Sequence, residues 1–203
     1  MSPMDNLEVE VKFFVEDLAT FRRKLLAAGA ELTKPRVYER NVRFDTAENS
    51  LLQNWQLLRL RQDTIVRVTF KGPSEADETS EAKVREELEV QVDDFETMAA
   101  IFQRLGFQPQ QTYEKYRETF QIEGIEIVLD ELPFGNFLEL EGDETNIKRM
   151  AGVLGLDWGK RILNNYLAMM SQVKALYNLP FDDLTFDNFA DLDINIIDID
   201  HMQ

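Results

Sequence analysis

Leu7-Glu8-Val9-Glu10-Val11-Lys12-Phe13 reads at period two. Successive side chains on a strand point to opposite sides, so Glu8, Glu10 and Lys12 share one face and Val9, Val11 and Phe13 the other. The same pattern recurs along the chain. Arg59 and Arg61 lie opposite Leu58 and Leu60; Arg67, Thr69 and Lys71 lie opposite Val66, Val68 and Phe70. Glu87 and Glu89 share a face, as do Lys115 and Arg117, and then Glu139 and Glu141. One such segment is an ordinary solvated sheet face. Many, with each sign grouped strand by strand, predict a sheet rolled around a polar lumen. Cations clustered there suit a polyanion, and clustered carboxylates suit a metal ion.

Composition narrows the chemistry. The chain has 203 residues, 44% of them hydrophobic, enough for a substantial core in one domain or a domain with an appendage. It has no Cys, which excludes disulfides, thiolate metal sites and cysteine nucleophiles. Its single His, His201, lies three residues from the end, which argues against a histidine zinc site or a Ser-His-Asp triad. Carboxylates, Lys, Arg, hydroxyls or a bound metal must carry any reaction. The formal net charge of −16 argues against nucleic acid as a partner, because phosphate-backbone binding relies on excess Lys and Arg. Met1 to Phe13 reads as polar and strand-like, with no signal peptide, and no apolar run approaches the roughly 18 residues of a membrane span. A soluble, cytoplasmic protein without a membrane partner is expected.

Along the chain, residues 6–15 read as a strand. Asp17 then caps a helix with Leu18, Phe21, Leu25 and Ala28 on its apolar stripe, ended by Gly29. Strand 36–45 follows, then a hairpin of 56–62 and 65–71 around Asp63-Thr64. Residues 74–82 read as a mobile Ser/Glu/Asp-rich loop before strand 84–92. A second unit echoes the first: Val92–Gly106 matches Val15–Gly29, and Tyr113-Glu114-Lys115 matches Tyr38-Glu39-Arg40, a weak internal duplication. Strands 114–121 and 125–131 flank the turn Glu123-Gly124, and strand 137–142 follows Pro133. Helices are expected over 143–154 and 161–177. About eight strands and four helices imply an α+β fold: an eight-stranded antiparallel barrel, polar inside, with helices packed outside. The body spans residues 1–176. In the tail, 177–203, apolar residues alternate with Asp, and from Asp182 to Asp200 there are seven Asp and no Lys or Arg. It either docks on its own domain or binds a partner or second subunit, which allows a homodimer.

The motifs taken together are Glu8-Val9-Glu10-Val11-Lys12, Phe44-Asp45-Thr46, Leu58-Arg59-Leu60-Arg61, Phe70-Lys71-Gly72-Pro73, Glu87-Leu88-Glu89, Glu114-Lys115-Tyr116-Arg117, Leu129-Asp130 and Phe137-Leu138-Glu139-Leu140-Glu141. In this order and spacing the chain resembles the CYTH family, the triphosphate tunnel metalloenzymes, over about Leu7 to Ser171. The resemblance implies a tunnel in which Lys12, Arg59, Arg61, Lys71, Lys115 and Arg117 grip a triphosphate. It implies that Glu8, Glu10, Glu139 and Glu141 hold Mg²⁺ or Mn²⁺, and that Glu87, Glu89 and Asp130, with Lys12, serve catalysis. Arg67 and Arg85 fall on the same polar face without belonging to a motif. The chemistry is consistent: Arg offers two-pronged hydrogen bonds to phosphate oxygens, Lys a compact charge, and carboxylates suit hard divalent ions.

The implied function is a metal-dependent enzyme that hydrolyses a triphosphate, inorganic, thiamine or nucleoside. The alternative is a class IV adenylyl cyclase that makes cyclic AMP and pyrophosphate from ATP. The Arg59/Arg61 strand looks more like the triphosphatases. A third reading is a sensor that binds triphosphate or polyphosphate without turnover. Two blander readings compete: charges solvating an open sheet, and a lipocalin-type barrel, which would have an apolar cavity.

Overall fold

The computed structural model describes residues 7–192 and residue 194. Eight strands, β1 (Leu7–Phe14), β2 (Glu31–Asp45), β3 (Leu57–Gln62), β4 (Val66–Pro73), β5 (Lys83–Val92), β6 (Gln108–Ile122), β7 (Ile125–Leu132) and β8 (Gly135–Glu141), form one antiparallel ring. Their order is β1-β5-β4-β3-β2-β6-β7-β8, and β8 pairs back on β1 with Lys12 opposite Glu139. The helices are α1 (Leu18–Ala27), α2 (Ser50–Gln53), α3 (Phe95–Arg104), α4 (Glu144–Leu154), α5 (Tyr166–Tyr177) and α6 (Phe186–Phe189). The expected architecture, an eight-stranded ring with helices outside, is the one found.

The apolar strand faces point outward and most are covered, although Leu88 and Val90 of β5 stay exposed. Val11, Phe13, Ile127, Leu138 and Leu140 pack with Leu25 of α1 and Ile147, Met150 and Leu154 of α4. Val42, Phe44, Leu60 and Val66 pack with Phe95, Ala99 and Phe102 of α3. Burying one such large side chain contributes about 1.5–3 kcal/mol. The outer layer therefore stabilises the fold, and the lumen can hold charge.

At one end of the ring the lumen-facing rows turn aromatic. Phe137 shares the register of Glu139 and Glu141, and Tyr113 that of Lys115 and Arg117. There α5 and residues 179–189 pack, with Tyr166, Met169, Val173, Leu184 and Phe189 buried against them. Leu184 exchanges main-chain hydrogen bonds with β6, its N–H to the Thr112 carbonyl (2.9 Å) and its carbonyl from the Glu114 N–H (2.9 Å).

Local chemistry explains the boundaries. Asp17 and Asp94 accept from Ala19 and Thr97 N–H groups and so cap α1 and α3. Glu123 (φ 51°) and Gly124 (φ 78°) are both left-handed, as a tight two-residue hairpin turn requires. Three expectations shift. The helix expected from residue 161 begins at Tyr166, because Ile162 pairs with Lys12 through two main-chain hydrogen bonds and keeps 161–164 off the helix. The strands expected at 36–45 and 114–121 start at Glu31 and Gln108, since register shifts absorb Pro35 and Pro109 along the β2–β6 pairing. The acidic 74–82 segment is tied down: it carries a 3₁₀ turn (Glu75–Thr79), and Asp77 accepts from the Val84 N–H at 2.7 Å. Among the described residues no helix is long and apolar enough to cross a membrane.

Candidate active site

The lumen holds a cavity of about 300 Å³. The residues given roles from sequence all line it, save Asp130; Arg67, read onto the same polar face, lies outside it and pairs with Asp63 at 3.0 Å. The strand period alone brings them together, since each contributing strand points alternate residues inward.

The basic residues are held by acids or hydroxyls. Lys12 Nζ lies 2.8 Å from Glu10 Oε1 and 3.3 Å from Glu139 Oε1. Lys71 pairs with Glu8 and, at 3.2 Å, with Glu87. Arg59 donates to the Tyr113 hydroxyl (3.1 Å) and the Thr69 hydroxyl (3.0 Å), and Arg61 donates to Glu89 (2.8 Å). Lys115 donates to Asp130 at 2.9 Å, while Arg117 reaches Asp130 through Nε (2.7 Å) and Nη2 (2.5 Å) and Glu139 through Nη2 (2.5 Å). Asp130 has no exposed surface. It acts from behind the cations and orients them.

The carboxylates divide into two groups. Glu139 is committed to Lys12 and Arg117, and these cations overcome its burial and hold it well below the usual range. Burial also opposes the charge on Glu10, yet Lys12 and other cations bring it to about 2. Glu8 and Glu141 behave oppositely. Burial raises both, and neighbouring carboxylates add to it: Glu10 beside Glu8, and Glu8 and Glu126 beside Glu141, which reaches about 8. Glu141 sits opposite Glu10 on β1 and opposite Glu126 on β7.

This donor set fits a divalent ion of the magnesium type. Among the described residues no three acidic side chains converge closely enough to form a cage. Mg²⁺ rarely needs one, since it keeps waters and takes one or two carboxylates plus phosphate oxygens. The charged forms of Glu8 and Glu141, disfavoured first by burial and then by like charge, are the ones a cation would relieve.

Several residues join the site unnoticed in the sequence. Glu39 is fully buried among cations; burial opposes its charge, but Lys115, Arg117, Arg61 and Arg59 bring it to about 2. Lys83, Tyr113 and Glu126 line the cavity. Each lies an even number of positions from a named residue, which was a usable signal. Tyr166 had none: it sits on an apolar helical stripe, yet its hydroxyl donates to Asp130 at 2.9 Å. Conversely, Asp45 of the Phe44-Asp45-Thr46 motif is structural. It accepts from the Thr46, Leu51 and Leu52 N–H groups and pairs with Arg43.

A charged lumen inside a ring of eight antiparallel strands defines a tunnel protein. The sequence profile of the CYTH domain matches residues 6–154, and the chain belongs to that family. A Methanocaldococcus jannaschii protein named as a candidate adenylate cyclase is 33% identical over 150 residues, covering 73% of this chain and 83% of the relative. Among solved structures, one described as a candidate adenylate cyclase from Vibrio parahaemolyticus aligns with a TM-score of 0.70 at 23% identity, over 82% of this chain and 98% of the other. HpAC1 from Hippeastrum, described as a candidate adenylyl cyclase with a dominant triphosphatase activity, aligns at TM-score 0.55 and 16% identity, over 82% and 95%. CYTH proteins are adenylyl cyclases or triphosphatases, and the family is generally metal-dependent.

Proposed function

We propose that this protein is a metal-dependent phosphohydrolase that holds a triphosphate compound in the lumen and removes its terminal phosphoryl group. The observation that carries this reading is the convergence of Arg59, Arg61, Lys71, Lys115 and Arg117 on one cavity. A triphosphate carries several negative charges, and charge-assisted hydrogen bonds from Arg and Lys are about twice as strong as neutral ones. Phosphoryl transfer depends on positioning and on stabilising charge at the oxygens, which fixed cations supply without reorganisation. Glu87, Glu89 and Asp130 hold these cations in place. Glu8, Glu10 and Glu141 are the proposed ligands of Mg²⁺ or Mn²⁺, with Glu139 as a bridge to Lys12 and Arg117. When bound, the ion would neutralise phosphate charge and activate water.

The second reading, a class IV adenylyl cyclase, is favoured by the name of the 33% identical relative. There a ribose 3′-oxygen attacks the α-phosphorus, and the same cations stabilise departing pyrophosphate. The partner in either case is a small triphosphate molecule. The deciding experiment is product analysis by anion-exchange chromatography. The protein is incubated with inorganic triphosphate, ATP or thiamine triphosphate, with Mg²⁺, Mn²⁺ or chelator. Metal-dependent orthophosphate release supports the hydrolase. Cyclic AMP with pyrophosphate replaces it by the cyclase. Tight binding without either product leaves a sensor.

A further inference from the structure

β5 carries two more cations into the cavity, Lys83 and Arg85. In the eight-membered ring β5 stands four strands from β6 in either direction, so the two face each other across the lumen. β6 carries Lys115 and Arg117.

The lumen cations differ in what satisfies them. Lys12, Arg61, Lys71, Lys115 and Arg117 each have a carboxylate oxygen within 3.2 Å, and Arg59 has two hydroxyl acceptors. Lys83 has no hydrogen-bond partner among the described residues. Its one ion pair is to Glu10 Oε1 at 3.7 Å, beyond hydrogen-bonding distance, and that oxygen already serves Lys12 at 2.8 Å. Its side chain is only 16% exposed, so bulk water gives limited compensation. An ammonium group has three donors and is strongly hydrated in water, so leaving them unused in a closed site is costly. Arg85 donates to the main-chain carbonyls of Gly72, Trp55 and Lys71. Those acceptors are neutral: they fix the guanidinium without cancelling its charge. The β5 wall thus presents one clamped cation and one with open donors, opposite the Lys115–Arg117 wall.

We propose that Lys83 is an anion-binding residue that takes an oxygen of a phosphate group held between β5 and β6, with Arg85 as the fixed charge beside it. This rests on the triphosphate reading above and adds a contact from the opposite wall. A phosphate oxygen would meet the donors that Glu10 does not reach. The ligand class is a phosphate oxyanion, free or as the end of an esterified triphosphate.

The test is calorimetric binding of inorganic triphosphate to the full chain in chelator, so that metal does not contribute. Lys83→Ala should weaken binding about tenfold, the loss of one charged hydrogen bond. Lys83→Arg should restore most of it, and Arg22→Ala, on the exposed face of α1, should change nothing. Circular dichroism and thermal melting check that each variant folds. Unchanged affinity in Lys83→Ala overturns the inference and leaves Lys83 as a counter-ion of Glu10. A parent chain that binds no triphosphate, either in chelator or with Mg²⁺, overturns this inference and the proposed function together. A parent that binds but never turns over removes only the hydrolase, and the tenfold loss in Lys83→Ala would still uphold the inference.

Discussion

Two acidic residues show how one lumen imposes opposite conditions. Glu141 rises to about 8 from an ordinary 4.5, through burial and then the charges of Glu8 and Glu126. Folding therefore binds a proton that the unfolded chain releases, and stability tied to Glu141 is full below pH 4.5 and lost as pH rises through about 8. The melting temperature of metal-free protein should fall across that window, and Glu141→Gln should flatten the decline. Saturating Mg²⁺ should do likewise if Glu141 is a ligand. Glu10 has the reverse sign: lowered from 4.5 to about 2, it contributes above pH 4.5 and fails as acidification passes 2. Asp130 is the residue whose loss should cost most. It accepts from Lys115, Arg117 and Tyr166 with no exposed surface. Asp130→Asn leaves buried cations uncompensated, a change that typically costs about 3–5 kcal/mol. Urea denaturation should show it, and a loss under 1 kcal/mol would mean that Glu139 and Glu39 suffice.

At the scale of elements, the strands were legible and the chain beyond α4 was less so. Period two places Glu8, Glu10 and Lys12 in the lumen whatever the ends of β1, because each side chain's direction depends only on its neighbour. The same rule reads Glu39 and Asn41 onto the lumen face of β2, although neither belongs to a motif. Helix α5 obeys a different rule. Its start depends on Ile162 pairing with Lys12, a contact between residues far apart in sequence that no local pattern encodes. Tyr166 reads locally as one more apolar position. Only the closed ring shows that it reaches Asp130. The segment after α5 is similar: its alternating apolar and Asp residues leave docking on its own domain or on a partner open, and Leu184 is completely buried between α5 and β6. Leu184→Ala should therefore cost about 2–5 kcal/mol by denaturation. Turnover per folded molecule should be kept, since Leu184 does not line the cavity. A surface-like loss below 0.5 kcal/mol would mean that this segment contributes little to the fold.

For the whole molecule, the ring order has a symmetry that the sequence only hints at. Exchanging β1–β4 with β5–β8 in order reproduces the same neighbours, with β1 beside β5 and β2 beside β6. The two repeat-like units, each a strand, a ten-residue helix and a long strand, sit at corresponding places. That arrangement gives the lumen basic strands on both sides, β3 and β4 against β6. It also separates two charge scales. Eight basic and seven acidic residues line the cavity, and with Glu39 and Asp130 buried among those cations the lumen carries one net negative charge, whereas the chain carries −16. Almost all the excess negative charge therefore lies outside the lumen. A triphosphate approaching from solution meets repulsion first and fixed cations only at short range. Salt screens the long-range part, with a Debye length of about 30 Å at 0.01 M and about 8 Å at 0.15 M. Association should consequently speed up as salt rises across that interval, the reverse of a ligand steered by opposite charge. Dissociation should also speed up, because the short contacts inside weaken. Stopped-flow binding of triphosphate in chelator separates the two rates. An association rate that falls with salt would mean that the mouth, not the bulk charge, governs approach.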